Sequence, residues 1–180
     1  MERTKTGNAV YQTGDLVVYG TTGVCRVEGI TKPGLSFAER DREYYLLQPL
    51  HQDGVIYAPV DSQKAPIRPV MSRAEAEALI GKIPGIRAEA WKAPTLQALA
   101  QRYQEAIHSS DTLELVELTM SIYAKREQAR SRSRRLGMTD ERYMKQAERL
   151  LYGELSAALE IPYEEVAPYI AARMESRQDG

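Results

Sequence analysis

A basic run at residues 125–135 is the segment of this 180-residue chain whose side chains are best suited to bind a ligand. Its cations are Lys125, Arg126, Arg130, Arg132, Arg134 and Arg135, and its one acid is Glu127. Cations that neutralise phosphates release condensed counterions, so such a run binds DNA without reading its sequence. The other interpretation is a solvated helix end, where the helix dipole favours cations. We treat the run and the nearby Lys145 as candidate DNA contacts.

Residues for catalysis or metal binding are sparse. The two histidines, His51 and His108, have no cysteine or carboxylate at metal-ligand spacing around them. The chain contains no Gly-rich phosphate loop, no G-x-G-x-x-G fingerprint and no G-x-S-x-G nucleophile elbow. We therefore expect a protein that is not an enzyme and that uses no metal or cofactor.

Composition and charge indicate a protein of a reducing compartment. The single cysteine, Cys25, excludes an internal disulfide, and its apolar neighbours suggest a structural role. No apolar run approaches the roughly 18 residues of a membrane helix, and the first residues lack the apolar core of a signal peptide. The formal net charge of -1 conceals a basic segment at 121–149 and an acidic one after it. We expect a soluble, cytoplasmic chain.

The first third of the chain has the alternation and the turns of short β-strands. Gly14-Asp15 leads into a β-branched run at 16–19, and a Gly-Thr-Thr-Gly turn at 20–23 precedes renewed alternation from Val24. Two further strands are predicted at 44–47 and 55–58. Four or five short strands over about fifty residues predict a small β-barrel of the SH3 or Tudor kind.

The rest of the chain has helical periodicity and residues that cap helices. Ser72 and Asp111 are each followed three residues later by glutamate, as in a capping box. The four predicted N-caps are Ser72, Thr95, Asp111 and Thr139. Pro162 suits the first turn of a last helix, which Pro168 would kink or restart. We expect a bundle of four or five helices.

The predicted fold class is therefore α+β, with an N-terminal small SH3/Tudor-like β-barrel followed by a C-terminal all-α bundle. The change from strand to helix periodicity near Val70 favours two domains. We place the β domain at 9–70, a short helix and linker at 71–94, and the helical domain at 95–175.

One pattern connects these expectations with a known family. Residues 14–30 read G-D-x-V-V-Y-x-x-x-G-V-x-x-V-x-x-I, followed by Y-Y-x-L at 44–47 and V-x-x-x-P at 55–59. This pattern resembles the N-terminal domain of the CarD family of bacterial transcription regulators, and a related module occurs in transcription-repair coupling factors. Residues 147–155 also look like the closing helix of CarD proteins. The resemblance therefore extends over nearly the whole chain.

By this resemblance the N-terminal domain binds the β subunit of RNA polymerase, pairing an exposed edge strand with a strand of that subunit. Two arginines associated with this contact in other members fall on Pro33 and Tyr57 here. Our polymerase-binding candidates are Lys32, Arg40, Arg42 and Tyr57. For Tyr57, ordinary strand packing is the alternative.

The resemblance also assigns a tryptophan near the start of the helical domain to promoter DNA, as a wedge in the minor groove. Aligned without gaps back from Ser110 and Asp111, that position falls on Leu96, five residues after Trp91. Either the linker holds an insertion and Trp91 with Lys92 forms the wedge, or the wedge is missing and Trp91 packs the two domains together.

The function that these observations predict is regulation of transcription initiation without catalysis. The protein would bind the polymerase β subunit and contact promoter DNA non-specifically, and so alter the stability of the open complex. Because polymerase already holds the DNA, tethering makes weak contacts sufficient. The alternative is an adaptor that docks on polymerase or another strand donor and never touches DNA. We expect a monomer.

Overall fold

The computed structural model describes residues 10–31, 42–61, 67–87, 89–109 and 111–178. The chain divides into two compact units, Met1–Val70 and Met71–Gly180, which we call the sheet unit and the helical unit. The candidate residues Lys32 and Arg40, and the position of Pro33, lie outside the described residues.

Five antiparallel strands form the sheet unit. They are β1 (Leu16–Tyr19), β2 (Gly23–Thr31), β3 (Tyr44–Pro49), β4 (Ile56–Pro59) and β5 (Ile67–Pro69). Their order in the sheet is β4-β3-β2-β1-β5. The predicted α+β class is confirmed, but the strands of the described residues form an open sheet rather than a closed barrel, because β4 and β5 do not pair with each other.

Alternate residues of these strands bury one apolar layer. Val17, Cys25, Val27, Tyr45, Leu47 and Ala58 form this core, as the period of two in the sequence predicts. The register shifts between Val27 and Gly29, where a bulge interrupts the pairing of β2 with β3. The hydroxyl of Tyr45 accepts a 2.9 Å hydrogen bond from the N–H of Val10 and so holds the chain before β1 against the sheet.

Five α-helices form the helical unit. They are α1 (Arg73–Lys82), α2 (Leu96–His108), α3 (Thr112–Ser131), α4 (Met138–Leu159) and α5 (Val166–Gln178), with 3-10 turns at Ile83–Gly85 and Tyr163–Glu165. No helix of the described residues is both long and apolar enough to cross a membrane.

The capping residues predicted from the sequence define three of the helix starts. Ser72 and Glu75 form a complete capping box at α1, and Thr95 accepts from the N–H of Ala98 at α2. Asp111 caps α3 by accepting from the N–H of Leu113. These contacts satisfy N–H groups that the first turn of a helix leaves without a partner.

One prediction about the later helices is corrected and another is confirmed. The N-cap of α4 is Gly137 in an extended conformation, without a side-chain hydrogen bond, so Thr139 lies inside the helix instead of capping it. Pro168 lies in the first turn of α5, which begins at Val166 directly after the 3-10 turn Tyr163–Glu165, so the last helix restarts there, one of the two predicted outcomes. A proline is tolerated there because the first N–H groups of a helix have no intrahelical acceptor.

The core of the helical unit lies among α2, α3 and α4. Tyr103, Leu118, Ile122 and Ala147 are fully buried in it. Polar contacts connect the remaining helices to this core and to each other. Buried Glu154 of α4 accepts a 2.9 Å hydrogen bond from the main-chain N–H of Met71, just before α1. Arg173 of α5 forms a 2.9 Å ion pair with Glu77 of α1.

Candidate functional site

Four arginines of the basic run lie exposed where α3 ends and the chain turns toward α4. They are Arg130, Arg132, Arg134 and Arg135, and we call them the arginine-rich end. The turn is held by main-chain bonds, because the N–H groups of Ser133 and Arg134 donate to Arg130 and Ala129. Ser133 takes the left-handed conformation, with φ at 55°. The arginines are therefore presented on a backbone of defined conformation.

The contacts of the arginine-rich end leave most of its charge in solvent. The side chain of Arg130 is 74% exposed and lies 3.5 Å from Glu127, one turn before it. Such exposed pairs contribute little to stability, so this one would yield readily to a phosphate. The hydroxyl of Ser131 donates to the carbonyl of Gln128 and is thus already engaged with its own helix.

Lys125 points elsewhere although it belongs to the same run. Its ammonium nitrogen lies 2.7 Å from the hydroxyl oxygen of Tyr103 and 3.2 Å from Oδ1 of Asp140. Its side chain is only 18% exposed. The structure therefore places Lys125 in a link among α2, α3 and α4, and Arg126 is half-buried.

The helix order brings other exposed apolar residues to the arginine-rich end. Tyr103 of α2, Lys125 of α3 and Asp140 of α4 meet at one level of the unit. Helices joined by a short loop run antiparallel. The N-terminal end of α2 and the C-terminal end of α3 therefore lie on the same side of the helical unit. Leu96, 64% exposed, and Met138, 87% exposed, therefore lie at this end.

Trp91 packs against the helical unit. Its main-chain N–H donates a 2.8 Å hydrogen bond to the buried hydroxyl of Ser121, and its ring centroid lies 6.0 Å from that of Tyr103. The guanidinium of Arg102 lies 4.3 Å above the indole ring. Trp91 and the exposed Lys92 line one wall of an open groove of about 880 Å³. Every described contact of Trp91 is thus within this unit.

The other candidate region is the outer edge of the sheet. β4 forms one edge, and on its far side it pairs with no strand of the described residues. The N–H of Val60 donates to the carbonyl of Glu43, before β3. Because every second residue of an antiparallel strand bonds to the same neighbour, the main-chain groups of Ala58 and Ile56 also point toward β3. The main-chain groups of Tyr57 therefore point to the outer side of β4.

Arg42 lies at the end of this edge. Its Nε atom donates a 2.9 Å hydrogen bond to Oδ1 of Asp61, just beyond β4. The guanidinium lowers the pKa of the Asp61 carboxyl below its ordinary value. Tyr57, in the middle of β4, is half-buried. Of the four polymerase-binding candidates, the described part of the chain thus brings Arg42 and Tyr57 to one strand edge.

Sequence reasoning did not single out two cations on the outer face of α4. Arg142 and Arg149, together with the predicted candidate Lys145, line an open groove of about 520 Å³ that begins at Met138. Their spacing of three and four residues, on the side of α4 away from buried Ala147, is the pattern that could have identified them.

The described residues offer no cluster for a metal ion. Among them, no group of three or more histidine, cysteine or acidic side chains lies close enough together to hold one. Cys25 is fully buried in the sheet core, and this burial raises the pKa of its thiol to about 11. Its environment is that of a packing residue, since a reactive thiol needs a lowered pKa and access to solvent.

Comparison with known proteins identifies the sheet unit. A family model described as the CarD-like/TRCF RID domain matches residues 11–71, about a third of the chain, and this span contains all five strands. A search of the curated proteins finds no match. The match agrees with the pattern of glycines and β-branched residues at 14–30 and with the fold built on it. Residues 11–71 therefore form a CarD-like domain of the kind that interacts with RNA polymerase.

Proposed function

We propose that this protein regulates transcription initiation without catalysing a reaction. The sheet unit binds the β subunit of RNA polymerase, and the arginine-rich end of the helical unit contacts promoter DNA, which alters the stability of the open complex. The observation that carries the proposal is the presence, in one chain, of an RNA polymerase-interacting domain and a separate helical unit with four exposed arginines at one end. Such a protein would act in the cytoplasm, where polymerase and promoter are found.

The outer edge of β4 is the docking surface in this proposal. An edge strand is a template for a further strand, and main-chain hydrogen bonds supply affinity that depends little on side-chain identity. This explains how docking tolerates Tyr57 at a position where the family resemblance has an arginine. The exposed side chain of Val55, just before β4, offers an apolar contact to the incoming strand.

The arginine-rich end supplies the DNA contact. Its four side chains are exposed, and the surface pair of Arg130 with Glu127 can be exchanged for a contact with phosphate. Leu96, at the position that the family resemblance gives to the wedge, is 64% exposed at this same end, whereas Trp91 is packed on the helices. Leucine is among the side chains that insert between base steps. We therefore assign the wedge to Leu96 and a supporting role to Trp91.

The effect on promoter opening follows from differential binding. A ligand shifts an equilibrium only by its difference in affinity between the two states, so the helical unit must bind the melted promoter better than the closed one. Docking on polymerase raises the local concentration of the helical unit at the DNA, so weak and non-specific contacts suffice. A helix that reads base sequence is not required.

Two measurements with purified components test the proposal. The full chain should bind the isolated β subunit, and it should change the lifetime of a competitor-challenged open complex in proportion to its occupancy of polymerase. Absence of β-subunit binding would overturn the docking half. Binding to polymerase with an unchanged lifetime would overturn the regulatory half and favour the adaptor that never touches DNA.

A further inference from the structure

We propose that the outer face of α4 is a second DNA-binding surface, which holds a sugar-phosphate backbone along the helix and continues from the arginine-rich end. The inference rests on the proposed function, because it needs DNA at that end. It adds a site, a direction and three side chains: Arg142, Lys145 and Arg149, with Met138 at the near end.

The positions of these residues on α4 put them on one face. At 3.6 residues per turn, 142, 145 and 149 fall within about 60° of one another, and 138 lies in the same sector. The opposite side of the helix carries the buried residues Met144, Ala147 and Leu151. The cations therefore point away from the core, along the wall of an open groove of about 520 Å³.

The chemistry of the groove suits a nucleic-acid backbone. Three cations line it against one acid, Glu141, with Gln146 as a further hydrogen-bonding group. Met138 adds an apolar surface that is 87% exposed, which a deoxyribose or a base edge can cover. A phosphodiester chain offers this combination of spaced anions and apolar sugars. Methionine is also among the side chains that proteins insert at base steps.

The dimensions and the connection to the arginine-rich end fix the path of the DNA. Eleven residues separate Met138 from Arg149, a rise of about 16 Å along the helix, or about five nucleotides of one strand. Only the turn at 132–137 separates this face from the end of α3. An acidic polypeptide is a poorer occupant, because one exposed methionine is too little for the apolar centre of a protein interface.

The test compares salt dependence of DNA binding by the full chain and two variants. A fluorescent 20-base-pair duplex is titrated at several salt concentrations with wild type, with Arg142→Ala/Lys145→Ala/Arg149→Ala, and with Lys82→Ala/Arg87→Ala as a control for charge away from the groove. The slope of log K against log salt is negative, and the loss of three phosphate contacts should reduce its magnitude by up to about 2.7. The control should leave the slope unchanged.

Further variants separate charge and apolar contact from folding. Lys145→Glu alone should also lower the slope, whereas Arg142→Lys/Arg149→Lys should preserve it. Met138→Ala should weaken binding several-fold and leave the slope unchanged, because methionine displaces no counterion.

Three results would overturn the inference, and they differ in what else they overturn. A triple variant with the wild-type slope would remove the α4 surface and leave the arginine-rich end standing. Wild-type protein that binds no duplex at any salt concentration would remove both. A triple variant that binds DNA normally but no longer binds poly-glutamate would make the face a protein-docking surface.

Discussion

The ammonium group of Lys125 donates a 2.7 Å hydrogen bond to the hydroxyl of Tyr103, so one cation of the basic run is turned into the helical unit. The same hydroxyl donates a 2.7 Å bond to Asp140, and the three side chains join α3, α2 and α4. Burial and the Asp140 carboxylate both raise the pKa of Tyr103, which keeps this hydroxyl protonated. The link holds the helices that present the arginine-rich end.

Replacement of Lys125 by methionine should destabilise the protein without changing its DNA contacts. The change leaves Asp140 without its cation in a site that is only 17% exposed, and we expect the free energy of unfolding to fall by about 1–3 kcal/mol. Urea denaturation measures this loss. Arg130→Ala, at a 74% exposed side chain, should cost less than about 0.5 kcal/mol. If Lys125→Met keeps native stability but reduces the salt dependence of DNA binding, Lys125 is a DNA contact and our assignment of it to the link among the helices is wrong.

Trp91→Ala should destabilise the helical unit. The indole packs against the core of α2, α3 and α4 and lies under the guanidinium of Arg102. Because the ring is half-buried, we expect a loss of about 2–3 kcal/mol, below the range for fully buried tryptophans. Far-UV circular dichroism during urea denaturation reports the change.

Leu96→Ala is the matched control for Trp91→Ala. Leu96 is 64% exposed, so its truncation should change stability by less than about 0.5 kcal/mol and reduce the effect on promoter opening. If Trp91→Ala retains full stability and abolishes that effect, the wedge belongs to Trp91 and our assignment to Leu96 is wrong.

How far the sequence predicts this protein depends on whether the determining contacts are local. Alternation and turn glycines locate the first four strands, and Ser72, Thr95 and Asp111 mark helix starts, because capping involves residues close in sequence. β5 has only three residues and pairs with β1, about fifty positions away, so no local pattern reveals it. The α4 cap shows a further limit, since Thr139 has the right residue type but Gly137 holds the position.

In the candidate site, too, some features follow from the local sequence and others from contacts between helices. Exposure of the arginines after residue 129 follows from the end of the apolar pattern of α3, which the sequence contains. The inward direction of Lys125 depends on Tyr103 and Asp140, which two other helices bring to it. Leu96 and Met138 reach the arginine-rich end only through the order of the helices. These relations become visible only when the helices are packed.

Proline at position 57 should weaken binding of the polymerase β subunit more than alanine there. Tyr57→Pro removes a main-chain N–H on the outer side of β4, whereas Tyr57→Ala removes the side chain alone. We expect about a tenfold loss for the loss of one edge hydrogen bond, and a smaller one for alanine. Surface-immobilised β subunit and the full-length chain provide the measurement. Equal effects of the two substitutions would mean that the side chain makes the contact.

Stability of the sheet unit should decline in alkali because of Cys25. Burial raises the pKa of its thiol from 9.0 to about 11, so the unfolded chain loses this proton at lower pH than the folded one. The stabilisation is complete below pH 9 and is lost as the pH rises from 9 to about 11, by up to about 2.7 kcal/mol. The difference in unfolding free energy between wild type and Cys25→Ala should therefore narrow across this range. A difference that is constant with pH would contradict the prediction.

The lifetime of the open promoter complex shows whether the arginine-rich end acts on promoter DNA. Polymerase and promoter are challenged with competitor at physiological salt, in the presence of wild type, Arg134→Ala/Arg135→Ala, or the charge-matched control Lys82→Ala/Arg87→Ala. All three proteins should bind the β subunit equally, since none of the substitutions lies in the sheet unit. We predict that the control changes the lifetime as much as wild type does and that Arg134→Ala/Arg135→Ala loses most of the effect. A full effect with Arg134→Ala/Arg135→Ala would contradict the account.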